Sequence, residues 1–297
     1  MNNSFNPIRR ASALLAGVAA TVAISLTIVS SAHAVQPSVD LKSTSNYAVL
    51  AGSGITNTGA TTVSGTAGGD MGSSPTGSFT GDTMVTTSGT KYTAVDSKTT
   101  AAKADLVTVY DDAAGRIPAT TITGDLGGQT LVAGVYNSAS SIGLTNTVTL
   151  DGQNNPDAVF IFQAGSTLTT ASNSTVALIN GAQACHVFWQ VGSSATFGTT
   201  TTFVGHVFAL TSITANTGAI FAGQLLARNG AVTLDHNTIT NDLCTGVTPT
   251  GTPTPTPSTS GGPLPNTDGI DWSTPLIIGL VVAAVGGAVL VNRRKRQ

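Results

Sequence analysis

Charge is what this chain has least of. Of 297 residues, 12 are Lys or Arg and 14 are Asp or Glu, 9% in all, where an ordinary soluble domain carries roughly a quarter. With a net charge of -2 and no cluster of Lys and Arg, the chain has no footprint for a phosphate backbone, and nucleic acid is excluded as a partner. The acids are equally sparse. Asp111 and Asp112 fall in a helical stretch, and Asp151 and Asp157 flank an Asn-Pro turn. None has a partner at the spacing that paired-carboxylate hydrolysis needs. No catalysis, cofactor or metal is therefore expected. Only two cysteines occur, Cys185 and Cys244. In an exported chain an even pair reads as a disulfide, closing a loop of about 60 residues worth roughly 4 kcal/mol on the chain-entropy model. Two free structural thiols are the alternative.

Thr, Ser, Gly and Ala stand where charges usually stand, and from Val159 onward they repeat. VFIFQAGSTLTTASNSTVAL, VFWQVGSSATFGTTTTFVGH, VFALTSITANTGAIFAGQ and LLARNGAVTLDHNTIT each open with an apolar run, pass a Gly/Ser/Asn turn and continue as a Thr-rich strand. A period falling from about 28 to about 18 residues marks stacked coils, a β-solenoid, in which each unit buries its apolar side only against its neighbours. Asn46 to Gly65 (NYAVLAGSGITNTGATTVSG) has the same cast and reads as one more coil, separated in sequence from the others.

Ser97 to Gly115 breaks the pattern. Ala102, Leu106, Val109, Tyr110 and Ala113 form an apolar stripe on one helix face, with Asp96 or Ser97 to cap its start. The coil openings offer this helix a surface, because Val159-Phe160-Ile161-Phe162, Val187-Phe188-Trp189 and Val207-Phe208-Ala209-Leu210 are apolar on both strand faces and need cover on both. The Thr-rich strands alternate instead. Leu168, Ile213 and Val232 are expected to point inward, and Thr169, Thr196, Thr214 and Thr233 outward, in a rank with about 4.8 Å between coils. Thr199 and Thr217, with Ser172, form a second rank. Thr is also a good β-former, and such ladders occur on solenoids that bind nothing. His186 and His206 both precede a Val-Phe pair, which places them at equivalent positions of consecutive coils as a surface imidazole ladder.

The ends read as targeting segments. Residues 1–34 have Arg9 and Arg10, an apolar stretch and Ala32-His33-Ala34, a signal peptide with cleavage after Ala34. The folded domain is expected over 35–245. A Thr/Pro-rich linker follows at 246–263, then Leu264-Pro265-Asn266-Thr267-Asp268-Gly269, an apolar transmembrane stretch at 275–292, and a basic cytoplasmic tail at 293–297. This order resembles a cell-wall sorting signal, which implies sortase-mediated attachment to peptidoglycan. The match runs through Thr267 and departs at Asp268, where the pattern has Gly. A plain membrane anchor is the alternative, and both place the domain at the cell surface.

From about Asp40 to Cys244, segments such as ADLVTVYDDAAGR, GVYNSASSIGLTNTVTLDGQNNPDAVFIFQAGSTLTT and LARNGAVTLDHNTI resemble the microbial ice-binding proteins with a discontinuous β-solenoid. The resemblance implies a mostly-β fold: a right-handed parallel β-helix with an N-terminal capping coil and one long helix alongside. It also implies adsorption to ice, or to the ordered water on it, through a flat solenoid face, with Thr169, Thr196, Thr199, Thr214, Thr217 and Thr233 as candidate contacts. Asp235 and His236 in the last coil, the crowding of Thr200 to Thr202, and an N-terminal coil without an obvious ladder depart from a regular array and imply weak activity. A wall-anchored adhesion or structural module with the same fold is the other expectation.

Overall fold

The computed structural model describes residues 36–245. The expected signal peptide, linker, Leu264–Thr267 motif, transmembrane stretch and basic tail lie outside the described residues. Among the described residues no helix is long and apolar enough to cross a membrane.

Short strands wind through three parallel sheets of nine, seven and eight strands, here I, II and III. A coil contributes one strand to each. Phe160–Ala164, Leu168–Thr170 and Thr175–Ile179 make one. Val187–Val191, Ala195–Phe197 and Thr202–Val204 make the next, followed by His206–Ala209, Ile213–Ala215 and Ile220–Ala222. Leu225–Ala227, Val232–Asp235 and Thr238–Thr240 close the series. The separated N-terminal coil, Tyr47–Ala51, Ile55–Thr58 and Thr61–Ser64, stacks on that last coil in all three sheets, through Val49↔Leu225, Thr56↔Thr233 and Thr62↔Thr238. Chain order is therefore broken, as expected. Strands Asp70–Ser73, Phe79–Thr80 and Val85–Thr87 add a further layer beyond it.

The period-two pattern of sheet I explains its doubled apolar faces. Phe160, Phe162, Val187, Trp189, Val207 and Leu225 face the solenoid interior. The intervening Ile161, Phe188, Phe208 and Leu226, with Leu50 and Val135, face outward into a second cluster with the helix α1 (Ser97–Gly115). The helix presents Ala102, Leu106, Val109, Tyr110 and Ala113, all buried, the stripe read from the sequence. Asp96 accepts from the Lys98 N–H at 2.8 Å and caps its start. At its end Gln163 Nε2 donates to the carbonyls of Ala113, Ala114 and Arg116, so the solenoid itself caps the helix C-terminus. Asp111 and Asp112 pair with Arg228 and Arg116, which commits both carboxylates to holding the helix in place.

Cys185 and Cys244 are bonded to each other, 59 residues apart, and tie the last described residues to the start of a sheet I strand. Replacing both with Ser is expected to lower stability by about 4 kcal/mol, read as a fall in the urea midpoint relative to the oxidised parent. A loss below about 1 kcal/mol would show that the stacked strands already hold this segment.

The two histidines are not equivalent, contrary to the sequence expectation. Val207 pairs with Trp189, and His206 pairs with Phe188, two positions on from His186. His206 is also no surface group: it is 3% exposed and stacks on Phe188 at 5.3 Å. Neither ring nitrogen has a well-formed hydrogen bond. Burial pushes its pKa down from 6.5 to about 4, and the nearby Gln224 amide and Cys185 backbone oppose the shift only in part. The native ring thus stays neutral where the unfolded ring takes a proton. Stability is full above about pH 6.5 and falls by about 3 kcal/mol as pH drops toward 4. His206→Leu is expected to flatten that slope in urea titrations at stepped pH. An unchanged slope would place the proton elsewhere.

Candidate functional site

With sheet I covered by α1, sheet II presents an open outer face, and register decides what it shows. The inward positions Leu168, Ala195, Ile213, Val232 and Ile55 are all buried. One residue along each strand lies an unbroken outward column: Thr169↔Thr196, Thr196↔Thr214, Thr214↔Thr233, Thr233↔Thr56 and Thr56↔Thr80. The four threonines expected in the first rank are therefore brought together. Two more, Thr56 and Thr80, extend the column across the N-terminal layers, which corrects the expectation that the N-terminal coil lacks a ladder. At about 4.8 Å per strand the six span about 24 Å.

Among the described residues, none of these six hydroxyls is hydrogen-bonded within the protein. Other hydroxyls nearby behave differently. Thr170 and Ser174 bond to Thr201 inside the corner at 3.0 and 3.2 Å, and Thr170 Oγ1 also accepts the Gly198 N–H. The corner itself is set by a stacked column of left-handed residues, among them Asn173, Thr200, Gly218, His236 and Gly59. Glycine suits Gly59 in particular, because a Cβ there would strike the His236 ring at about 2 Å. Asn237 and Asn57 side chains bond back to corner carbonyls, so the turn is fixed by buried polar contacts.

The second rank is less regular. Thr199 and Ser172 are exposed. Thr217 donates to the carboxylate of Asp235, which occupies the same rank opposite Thr58, while His236 Nδ1 lies 2.6 Å from that carboxylate. The Thr217 hydroxyl and then His236 hold the Asp235 carboxyl below its ordinary range. The hydroxyl of Thr217 is thus already engaged, and two anions border the threonine face: Asp235 at its rim, and Asp125 at its end, over Gly143, which pairs with Thr169. A separate hollow of about 260 Å³ beside the disulfide is lined by Leu178, Ala182, Ala222 and Leu243, with no aromatic in its wall.

This arrangement has close counterparts. Residues 49–240 match the family described as ice-binding-like. An ice-binding protein of Nostoc sp. (strain HG1) is 48% identical over 203 residues, covering 68% of this chain and 73% of the relative. A Colwellia sp. ice-binding protein is 37% identical over 220 residues, covering 68% and 83%. Among solved structures, an ice binding protein from an Antarctic biological consortium superposes with a TM-score of 0.67 at 46% identity, covering 69% of this chain and 92% of its own.

Proposed function

The chain belongs to the ice-binding-like family, and from that premise we propose that it adsorbs to ice through the outer face of sheet II. The observation that carries the choice of face is the column of six threonines with unengaged hydroxyls. Each presents a hydroxyl and a methyl at a fixed spacing on a backbone that the stacked core does not let bend. Such a plane orders a water layer that can merge with a crystal, whereas a charged side chain would hold its own hydration shell and disturb that layer. Adsorbed molecules pin the growing front and slow growth or recrystallisation. Thr169, Thr196, Thr214 and Thr233 supply the central contacts, Thr56 and Thr80 extend them, and Thr199 flanks them. Thr217 lies beside Thr199 with its hydroxyl engaged by Asp235.

Export and display at the cell surface belong to the same proposal, supported by the sequence of the two ends alone: a signal peptide ending at Ala34, a spacer, and either sortase attachment at Leu264-Pro265-Asn266-Thr267 or a membrane span. Ice binding is tested by freezing a dilute solution slowly onto a cold surface. The full chain is expected to be enriched in the ice fraction, and exclusion into the remaining liquid, as for an ordinary solute, would refute the reading.

A further inference from the structure

Sheet III carries a second plane built like the first. Its outward column runs Thr147↔Thr175, Thr175↔Thr202, Thr202↔Ile220, Ile220↔Thr238, Thr238↔Thr62 and Thr62↔Thr86. Six of the seven positions are threonine, and among the described residues none of their hydroxyls is engaged within the protein. The neighbouring outward column is small or apolar, with Thr149 opposite Ala177, and Ala222, Thr240 and Ser64 in register. Neither column contains a charge. Asp151, at the end of its strand, is turned to the rim, where it accepts from Gln153 N and Asn180 Nδ2.

A second, independent feature marks this face as a contact surface. Ile220 is 48% exposed within the threonine column, and Ile179, also on sheet III, is 41% exposed. β-propensity alone accounts for threonine on a strand. It does not account for large apolar side chains left in water on a sheet whose strands carry, among the described residues, a single charged side chain, Asp151 opposite Ile179. Sheets II and III also meet at the left-handed corner of Asn173, Thr200, Gly218 and Gly59, so the two planes are continuous around one edge.

We propose that the outer face of sheet III is a second ice-contacting plane, so that one molecule engages more than one crystal face. This rests on the ice-binding reading of sheet II. The test is to label the full chain with a fluorophore, grow it into a single-crystal ice hemisphere, and map which crystal planes fluoresce. The wild type is expected to mark two sets of planes. Thr214→Tyr on sheet II is expected to leave one set and Thr202→Tyr on sheet III the other, each lost set dimming by at least tenfold. Ile220→Lys, an exposed position whose change leaves the core untouched, is expected to repeat the Thr202→Tyr result, and melting curves check that every variant is folded. If Thr214→Tyr darkens all planes while both sheet III variants match the wild type, the second plane is refuted and sheet II stands. If the wild type marks no plane, the ice-binding reading fails and this inference fails with it.

Discussion

Thr214→Tyr is expected to reduce the thermal hysteresis of the full chain by about tenfold or more, while its melting temperature stays that of the parent. Thr214 sits in the middle of the sheet II column, paired with Thr196 on one side and Thr233 on the other. It is outward of the buried Ile213, so a larger side chain there meets solvent rather than core. A tyrosine ring stands several ångströms proud of its neighbours. Because contacts fall away over gaps of about 1 Å, one protruding ring lifts the adjacent threonines from the lattice as well. Thr214→Val keeps the shape and the methyl and is expected to keep most of the activity. Asp235→Thr has the opposite sign: it removes the anion from the second rank and frees the Thr217 hydroxyl, and a rise in hysteresis is expected. A tyrosine variant as active as the parent would show that sheet II is not the face.

Phe162→Ala is expected to destabilise the domain by about 3–5 kcal/mol. Phe162 is fully buried and stands in a ring stack down the interior, 3.9 Å from Trp189 and 5.4 Å from Tyr136 between centroids. Trp189 in turn donates its indole N–H to the Val204 carbonyl at 2.9 Å. A gap in the solenoid interior can be refilled only from the adjoining coils, since each coil touches only its neighbours. The stack therefore loses both contacts at once. The measurement is a urea transition, where the midpoint should fall with little change in slope. In a domain of this size the melting temperature should drop by roughly 10 °C. A loss below about 1 kcal/mol would mean that the coils slide to close the cavity.

Much of this was legible in the sequence because two periods do not interfere. The 3.6-residue stripe from Ala102 to Ala113 specified the helix, and the doubly apolar strands around Ile161, Phe188 and Phe208 specified where it lies. The likeness of residues 46–65 to the later coils specified a chain-order break. Register was harder to read. Val187 and Val207 look alike in sequence, yet Val187 pairs with Phe160 and Val207 with Trp189, so the strand shifts by two residues between coils and separates His186 from His206. Thr56 and Thr80 were missed because their partners are remote in sequence and the Thr80 strand is two residues long. The sheet III column was missed for a related reason. It lies beyond corners of unequal length, two residues at Thr145 and Asn146 but four at Ala171 to Ser174, so a reading in step with sheet II displaces Thr147 and Thr238 from the column.

The most direct measurement is thermal hysteresis of the full chain, with single ice crystals watched as they cool below their melting point. Adsorption through a flat threonine plane predicts a gap between melting and freezing that grows with protein concentration, and crystals that stop growing as facets. Crystals that stay round and grow freely at every concentration would contradict the account and leave a shared fold without the activity.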